Sequence, residues 1–296
     1  MNPMRGCIGV LAHPRRPQTA PVAESIAAAL TARGLETWVY TQWDDADVID
    51  QAQCADMVVA IGGDGAMLRA ARVCAPFRVP VLGINMGRLG FLTEVTEISE
   101  VHAAIDRVLA GDHWVEHRMM ITVRVRRDGQ TALRADALND VVISANTVGS
   151  MIQMDTYIDS HWATTYNSDA LIIATPTGST AYALAAGGPI LPPDLKNILI
   201  VPAAPHLSMD RPIVLSEGSR VDLKANEDNR NPIVLFADGN PLGGIQPDDR
   251  ITVQASEHSA LFVRLRPRNY FYRSLLDRLE PRITRKHEGT LDDHSP

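Results

Sequence analysis

Residues 57–61, Met-Val-Val-Ala-Ile, are apolar without a break, end on Gly62-Gly63-Asp64-Gly65, and give way at once to a helical pattern from Ala66. A short run with no polar position predicts a strand buried on both faces, as in a parallel sheet covered by helices. The glycine turn then sits at the C-terminal edge of that sheet, where open α/β sheets take their ligands. Glycines there allow φ > 0 and let a polyphosphate approach the main chain, while the helix that follows offers free N–H groups to anions. An aspartate in such a turn suits phosphoryl transfer, as a base toward an attacking hydroxyl or as a holder of magnesium. The turn carries neither the Gly-x-Gly-x-x-Gly fingerprint nor the Gly-Lys-Ser/Thr of a Walker loop. Taken alone, GGDG serves a tight strand-to-helix connection equally well.

The flanking sequence repeats the strand-and-helix alternation. Apolar residues 7–11 lead to a helix at 21–33 with Gly34 as its stop, then to strands at 35–40, 57–61 and 79–84, the last two separated by a helix at 66–75. Ile98, Val101, Ile105, Val108 and Leu109 recur at helical spacing before Gly111. Helical crossovers imply parallel pairing, with Asp64 and Asn85 both at strand C-terminal ends. After about residue 117 the period changes. Residues 120–126 alternate apolar and basic, Asp128-Gly129 is a hairpin signal, and short strands are expected near 137–144, 151–158, 171–175, 198–201, 220–225, 233–236, 251–254 and 261–265. Residues 270–279 read as a helix and 285–296 as a frayed tail. The expected fold class is therefore α/β plus all-β: an N-terminal Rossmann-like α/β domain at 1–112 carrying GGDG and a C-terminal β-sandwich domain at 113–267.

A chain of 296 residues with 45% hydrophobic content fills two such cores. No apolar stretch is long enough to span a bilayer and the start runs straight into a strand pattern, so a cytoplasmic protein without a membrane partner is expected. Cys7, Cys54 and Cys74 are odd in number and widely spaced, which argues for reduced thiols rather than bridges or a metal knot. A net charge of -7 speaks against nucleic-acid binding. Small anions remain possible substrates, because Arg15, Arg16, Arg69, Arg72 and Arg88 lie in or beside expected loops of the first domain.

Thr175-Pro176-Thr177-Gly178-Ser179-Thr180-Ala181-Tyr182 crowds hydroxyls and one aromatic into a turn after the strand at 171–174. The hydroxyls can bond phosphate, ribose or base edges and Tyr182 can stack on a planar ring; the plain alternative is a helix start capped by Ser179 or Thr180. Asn139-Asp140 is read as embedded in a strand at 138–143, its two side chains facing opposite ways. His113 and His117 have zinc-ligand spacing if helical, but no third ligand lies nearby. The acidic run Asp44, Asp45, Asp47, Asp50 reads as a solvated helix start, and Met119, Met120, Met151 and Met154 as core filler.

With GGDG, Gly83-Ile84-Asn85-Met86-Gly87-Arg88-Leu89-Gly90-Phe91-Leu92, Leu138-Asn139-Asp140-Val141-Val142 and TPTGSTAYALAAGGPIL in this order, the chain resembles the NAD kinases, especially bacterial members that share Ile8-Gly9-Val10 and His13-Pro14-Arg15. The resemblance implies ATP-dependent phosphorylation of NAD to NADP with a divalent cation such as Mg2+, a homodimer or homotetramer with sites near the subunit contact, and a segment at 268–284 that returns to the first domain. It makes Asp64 the base toward the adenosine 2′-hydroxyl. Gly62, Gly63, Asp64 and Gly65 form the phosphate-donor loop, and no metal is assigned to protein ligands alone. Dinucleotide contacts are implied for Asp64, Gly65, Arg69, Asn85, Asn139, Asp140, Asn167, Asp169, Thr180, Ala181, Tyr182, Ala183, Leu184, Ala185 and Asn240. Two positions depart from the family pattern: Ala66 stands where threonine is usual and Ala170 where glycine is frequent. The rival readings are a noncatalytic NAD(P) sensor, for which Ala66 speaks, and a lipid or sugar kinase sharing the GGDG turn, which leaves the TPTGSTAY block unexplained.

Overall fold

The computed structural model describes residues 6–41, 45–86, 90–147 and 149–279. Asp44, Gly87, Arg88, Leu89 and the tail at 285–296 lie outside them.

The first part runs β1 (Cys7–Leu11), α1 (Ala20–Thr31), β2 (Glu36–Tyr40), α2 (Asp45–Ala52), β3 (Met57–Gly62), α3 (Asp64–Cys74), β4 (Val81–Asn85) and α4 (Val101–Leu109). Its strands pair in parallel in the order β2-β1-β3-β4. Every residue of β1, β3 and β4 is buried, as strands covered on both faces require. One apolar layer packs the sheet against α2 and α3, and another packs it against α1 and α4. Gly34 and Gly111, at φ 79° and 78°, follow α1 and α4 as expected of helix stops.

The second part contains β5 (Trp114–Arg127), β6 (Gln130–Ala137), β7 (Asp140–Ala145), β8 (Ile152–Ile158), β9 (His161–Ser168), β10 (Ala170–Ala174), α5 (Tyr182–Ala185), β11 (Asn197–Ala203), β12 (Ile213–Ser216), β13 (Arg220–Ala225), β14 (Ile233–Ala237), β15 (Asn240–Ile245) and β16 (Arg250–Arg264). One sheet has the order β12-β11-β10-β7-β14-β15. It faces β5, β6, β8, β13 and β16 across a core that holds Ile121, Val123, Val141, Ile143, Leu171, Ile173 and Leu235. Alternate residues of the same strands, Val142, Ile172 and Ala174, point out of the sandwich and pack under Ala183 of α5.

Three expectations need correction. Residues 250–264 form one strand rather than two, with a bulge between Ala255 and Ser259. That long strand pairs β13 near its start and β4 near its end, so the first sheet continues from the α/β part into the sandwich and residues up to Leu265 form one compact unit. Asn139 is not embedded in a strand: β6 ends at Ala137 and β7 begins at Asp140, leaving Leu138 and Asn139 in the connection. His113 precedes β5 and His117 lies within it, so the pair lacks helical spacing, and among the described residues no group of three His, Cys, Asp or Glu is placed to hold a metal. Residues from Arg266 onward form a separate unit whose described part, 266–279, contains α6 (Tyr270–Leu279), the helix expected there.

Candidate active site

Strand β3 delivers the chain to Gly62, and Gly63 is the N-cap of α3. The helix therefore starts at Asp64, two residues earlier than the pattern implies, and the carboxylate belongs to its first turn. Of the turn's glycines only Gly62 has positive φ, at 156°, and a Cβ there would meet the methyl of Ala66 at 2.7 Å. A Cβ at Gly63 or Gly65 would meet nothing within 4 Å, so these positions border open space.

The Asp64 carboxylate is half-buried and held from the opposite side. Phe91 N–H donates to Oδ2 at 2.7 Å and Leu92 N–H to Oδ1 at 3.0 Å. Gly90 passes so close that a Cβ would lie 1.9 Å from Oδ1. Two N–H donors leave lone pairs of this carboxylate available to a further hydrogen bond.

Two adjoining clefts open beside this turn. One, of about 580 Å³, is lined by His13, Arg15, Gly65, Ala66, Arg69, Arg72 and Asn240 among others. Its guanidiniums make it cationic. Burial, then the charges of Arg16, Arg15 and Arg69, push the His13 imidazole below its ordinary value and keep it neutral at pH 7. The second cleft, of about 400 Å³, is lined by Asn139, Asp140, Val142, Ser144, Ala170, Ala181 and Tyr182. Asp140, Val142 and Ser144 share the outer face of β7 by the two-residue period, and Tyr182 stands over that face, 47% exposed. Leu68 and Asp238 line both clefts, which joins them.

Asp238 was not singled out as a site residue, and it organises the junction. Asp238-Gly239 turns β14 into β15 with φ 47° and 74°, and the Asp238 carboxylate accepts N–H bonds from Leu138, Asn139 and Asp140 at 2.9, 2.7 and 3.2 Å. Burial pushes its carboxyl up while those three N–H groups oppose the rise. Burial, and secondly the Asp238 charge, push the Asp140 carboxyl up to about 7. The Asp-Gly pair before Asn240 was the available signal; that its carboxylate spans to residues 138–140 follows only from the fold.

The hydroxyls of Thr175, Ser179 and Thr180 each bond main-chain groups of their own chain. Thr175 Oγ1 donates to Leu138 O and accepts from Gly178 N–H, Ser179 Oγ donates to Pro176 O at 2.7 Å and accepts from Leu191 N–H at 2.9 Å, and Thr180 Oγ1 donates to Thr177 O. They satisfy main-chain groups that burial would otherwise strand. Neither Ser179 nor Thr180 caps the helix; Ala181 is the N-cap of α5. Gly178 lies against Asn139, where a Cβ would be 1.9 Å from the carbonyl oxygen.

The other expected site residues separate into those near the clefts and those away from them. Asn85 is buried at the end of β4, in register with Gly62 beside the GGDG turn. Ala183 is fully buried on the sheet-facing side of α5, and Leu184 and Ala185 line neither cleft. Asn167 borders a different cleft with Gln153 and Asn229, and Asp169 is exposed outside both clefts of its own chain.

A family model described as the ATP-NAD kinase N-terminal domain matches residues 19–113, and one described as the ATP-NAD kinase C-terminal domain matches residues 138–265. The chain belongs to the NAD kinase family. A NAD kinase from Geotalea daltonii is 37% identical over 275 residues, 89% of this chain and 95% of the relative. Among solved NAD kinase structures, that of Archaeoglobus fulgidus in complex with ATP has TM-score 0.72 at 25% identity and covers 92% of this chain and 97% of its own. Yeast NADH kinase complexed with NADH has TM-score 0.78, covering 98% of this chain and 91% of its own; at 21% identity it speaks for the NAD kinase fold.

Proposed function

We propose that this chain transfers a phosphoryl group from ATP to the adenosine 2′-hydroxyl of NAD, giving NADP. The observation that carries the reading is the junction: the GGDG turn opens on a cationic cleft that shares Leu68 and Asp238 with a second cleft bearing Asn139, Asp140 and Tyr182. A triphosphate suits the first cleft, which Arg15, Arg69 and Arg72 line together with Gly65 and Ala66 of the first turn of α3. A dinucleotide suits the second, with Tyr182 to stack on a ring and Asn139 and Asp140 to bond hydroxyls.

Asp64 stands beside the open Gly65 and Ala66 and, in this reading, takes or orients the 2′-hydroxyl proton while Phe91 and Leu92 keep its carboxylate aimed. Phosphoryl transfer depends on positioning and charge stabilisation, which the helix amides and guanidiniums supply. The divalent cation, magnesium in this reading, would arrive with the donor and would offset charge on its phosphates. Ala66 lines the donor cleft with a methyl where a hydroxyl is usual, so donor selection falls to the arginines and main chain. We assign the chain to a homodimer or homotetramer, in which Asn167 and Asp169 are free to serve a neighbouring copy; light scattering reads this directly.

Asp64→Asn tests the base. Turnover of NAD to NADP is expected to fall about 100- to 10,000-fold with NAD affinity little changed. Turnover within a few-fold of wild type would remove Asp64 from that role.

A further inference from the structure

Four charged side chains are sealed in the interior behind the site. Arg264 of β16 is fully buried, and Glu94, Glu116 and Arg118 are each under one-tenth exposed. Strand register brings them together: Glu116 lies opposite Phe262 and Arg118 opposite Ala260, so Glu116, Arg118 and Arg264 share one face of the β5–β16 pair. Arg264 Nε donates to Glu116 Oε2 at 2.8 Å, and the same oxygen lies 3.0 Å from Arg118 Nε. Arg264 also stacks its guanidinium over the Phe262 ring, 5.2 Å from the centroid.

Both ends of this cluster leave the core at the site. On one side Arg264 Nη1 donates to Leu92 O at 2.8 Å and to Glu94 Oε2 at 3.3 Å, while Leu265 N–H donates to Glu94 Oε1 at 2.8 Å. Leu92 is the residue whose own N–H holds Asp64 Oδ1. On the other side Arg118 Nη1 donates to Thr177 Oγ1 at 3.1 Å, in the turn that leads to Tyr182. A path of hydrogen bonds, closed by the Glu116–Arg118 ion pair, therefore runs from the Asp64 carboxylate through Leu92, Arg264, Glu116 and Arg118 to Thr177. An apolar cluster of equal volume would stabilise a core at least as well as buried ions do. What the ions add is direction, since each guanidinium fork fixes the angle and distance of what it binds.

We propose that the Arg264–Glu116–Arg118 cluster is a positioning strut for phosphoryl transfer, holding the loop that aims Asp64 at a fixed spacing from the turn that carries Tyr182. The strut rests on the reading of Asp64 as the group that engages the acceptor hydroxyl. Burial opposes charge on Glu116, but the guanidiniums of Arg264 and Arg118 prevail and hold its carboxyl below the usual range, so the cluster stays ionised across the working pH.

The test uses Arg264→Lys, which keeps the charge and loses the fork, and Glu116→Gln, which keeps the shape and loses the charge. Each is measured in the full chain for kcat, for KM of NAD and ATP, and by thermal melting to confirm folding. Arg127→Lys, at the ion pair with Asp249 in the sandwich, is the control and is expected within twofold of wild type. The strut requires kcat to fall at least tenfold with both KM values within threefold. It also requires the same substitution to cost less than threefold in an Asp64→Asn background, because the group it positions is already gone. A folded Arg264→Lys or Glu116→Gln chain with kcat within twofold of wild type would overturn the strut, as would an equal loss with and without Asp64. If Arg264→Lys does not fold, Glu116→Gln is read by the same criteria, with Arg118→Lys as the third probe. An Asp64→Asn chain that keeps wild-type turnover overturns the base itself, an outcome distinct from a failed strut.

Discussion

Gly90→Ala isolates what holds Asp64. A methyl at position 90 would sit 1.9 Å from Asp64 Oδ1, 2.6 Å from Cγ and 3.0 Å from Oδ2, against an ordinary contact beginning near 3.4 Å, so the carboxylate must retreat by about 1.5 Å. The backbone itself accepts alanine, since Gly90 is not in the left-handed region. The obstruction is the end of a rotatable side chain, so the fold yields there first. Rotation breaks the bonds from Phe91 N–H and Leu92 N–H, charge-assisted contacts worth about 1.5–3 kcal/mol each when fully buried. Both are only partly buried, so water replaces much of that, and removing a loop glycine returns about 0.4–1 kcal/mol through the unfolded chain. A net stability loss of about 1–3 kcal/mol follows.

Catalysis is more sensitive than stability to such a shift, because misplacing a reacting group by about 1 Å costs on the order of 100-fold in rate. Formation of NADP, coupled to an NADP-specific dehydrogenase, should show kcat reduced about 100-fold. NAD binding by calorimetry should change by less than threefold, since the second cleft is untouched. The Asp64→Asn, Gly90→Ala double variant should be no slower than Asp64→Asn alone. A folded Gly90→Ala chain with kcat within threefold of wild type would show that the carboxylate does not act from the cradle of residues 90–92.

Gly178→Ala makes the contrasting case, because its Cβ would meet the carbonyl oxygen and carbon of Asn139 at 1.9 and 2.5 Å, backbone that cannot rotate aside. Overpacking of this kind costs about 1–3 kcal/mol, so a melting temperature lowered by several degrees and NAD binding weakened at least tenfold are expected; unchanged binding would remove the 139–178 contact from the site. Asp140 supplies a pH signature: its folded value near 7 lies above its ordinary 3.8, so its contribution to stability is present below the ordinary value and is lost as pH rises through about 7. The melting temperature of the ligand-free chain should therefore fall between about pH 4 and 7 and level off above that, and Asp140→Asn should flatten that fall; an identical slope in the variant would place the titration elsewhere.

The parallel strands could be read in advance because both faces of β1, β3 and β4 are buried, so every position but the terminal Asn85 of β4 carries no polar side chain. The strands that escaped notice, β6, β9, β12 and β15, lie at sheet edges, and each pairs with a single neighbour. With one edge and much of one face in water, sequences such as HWATTYNS and NPLGGI carry no burial pattern to detect. The polar residues Ser256, Glu257 and His258 hid the unity of β16, because a bulge spends them outside the ladder. At the site, the Asp64 turn, Asn139, Asp140 and Tyr182 followed from local motifs. That the hydroxyls of Thr175 and Ser179 meet the chain's own backbone could not be read in advance, because whether a hydroxyl meets a ligand or the main chain depends on burial, which a motif does not encode. Asp238 and Arg264 act on residues 98 to 172 positions away, a range over which no periodicity operates. Two glycines bridge that gap in an instructive way. Gly90 and Gly178 each stand where a distant segment approaches closer than any Cβ allows, the first against Asp64 and the second against Asn139. Neither glycine has positive φ. At these two positions the backbone angles do not require glycine, so the reason for it lies in the neighbour, and both neighbours belong to the candidate site.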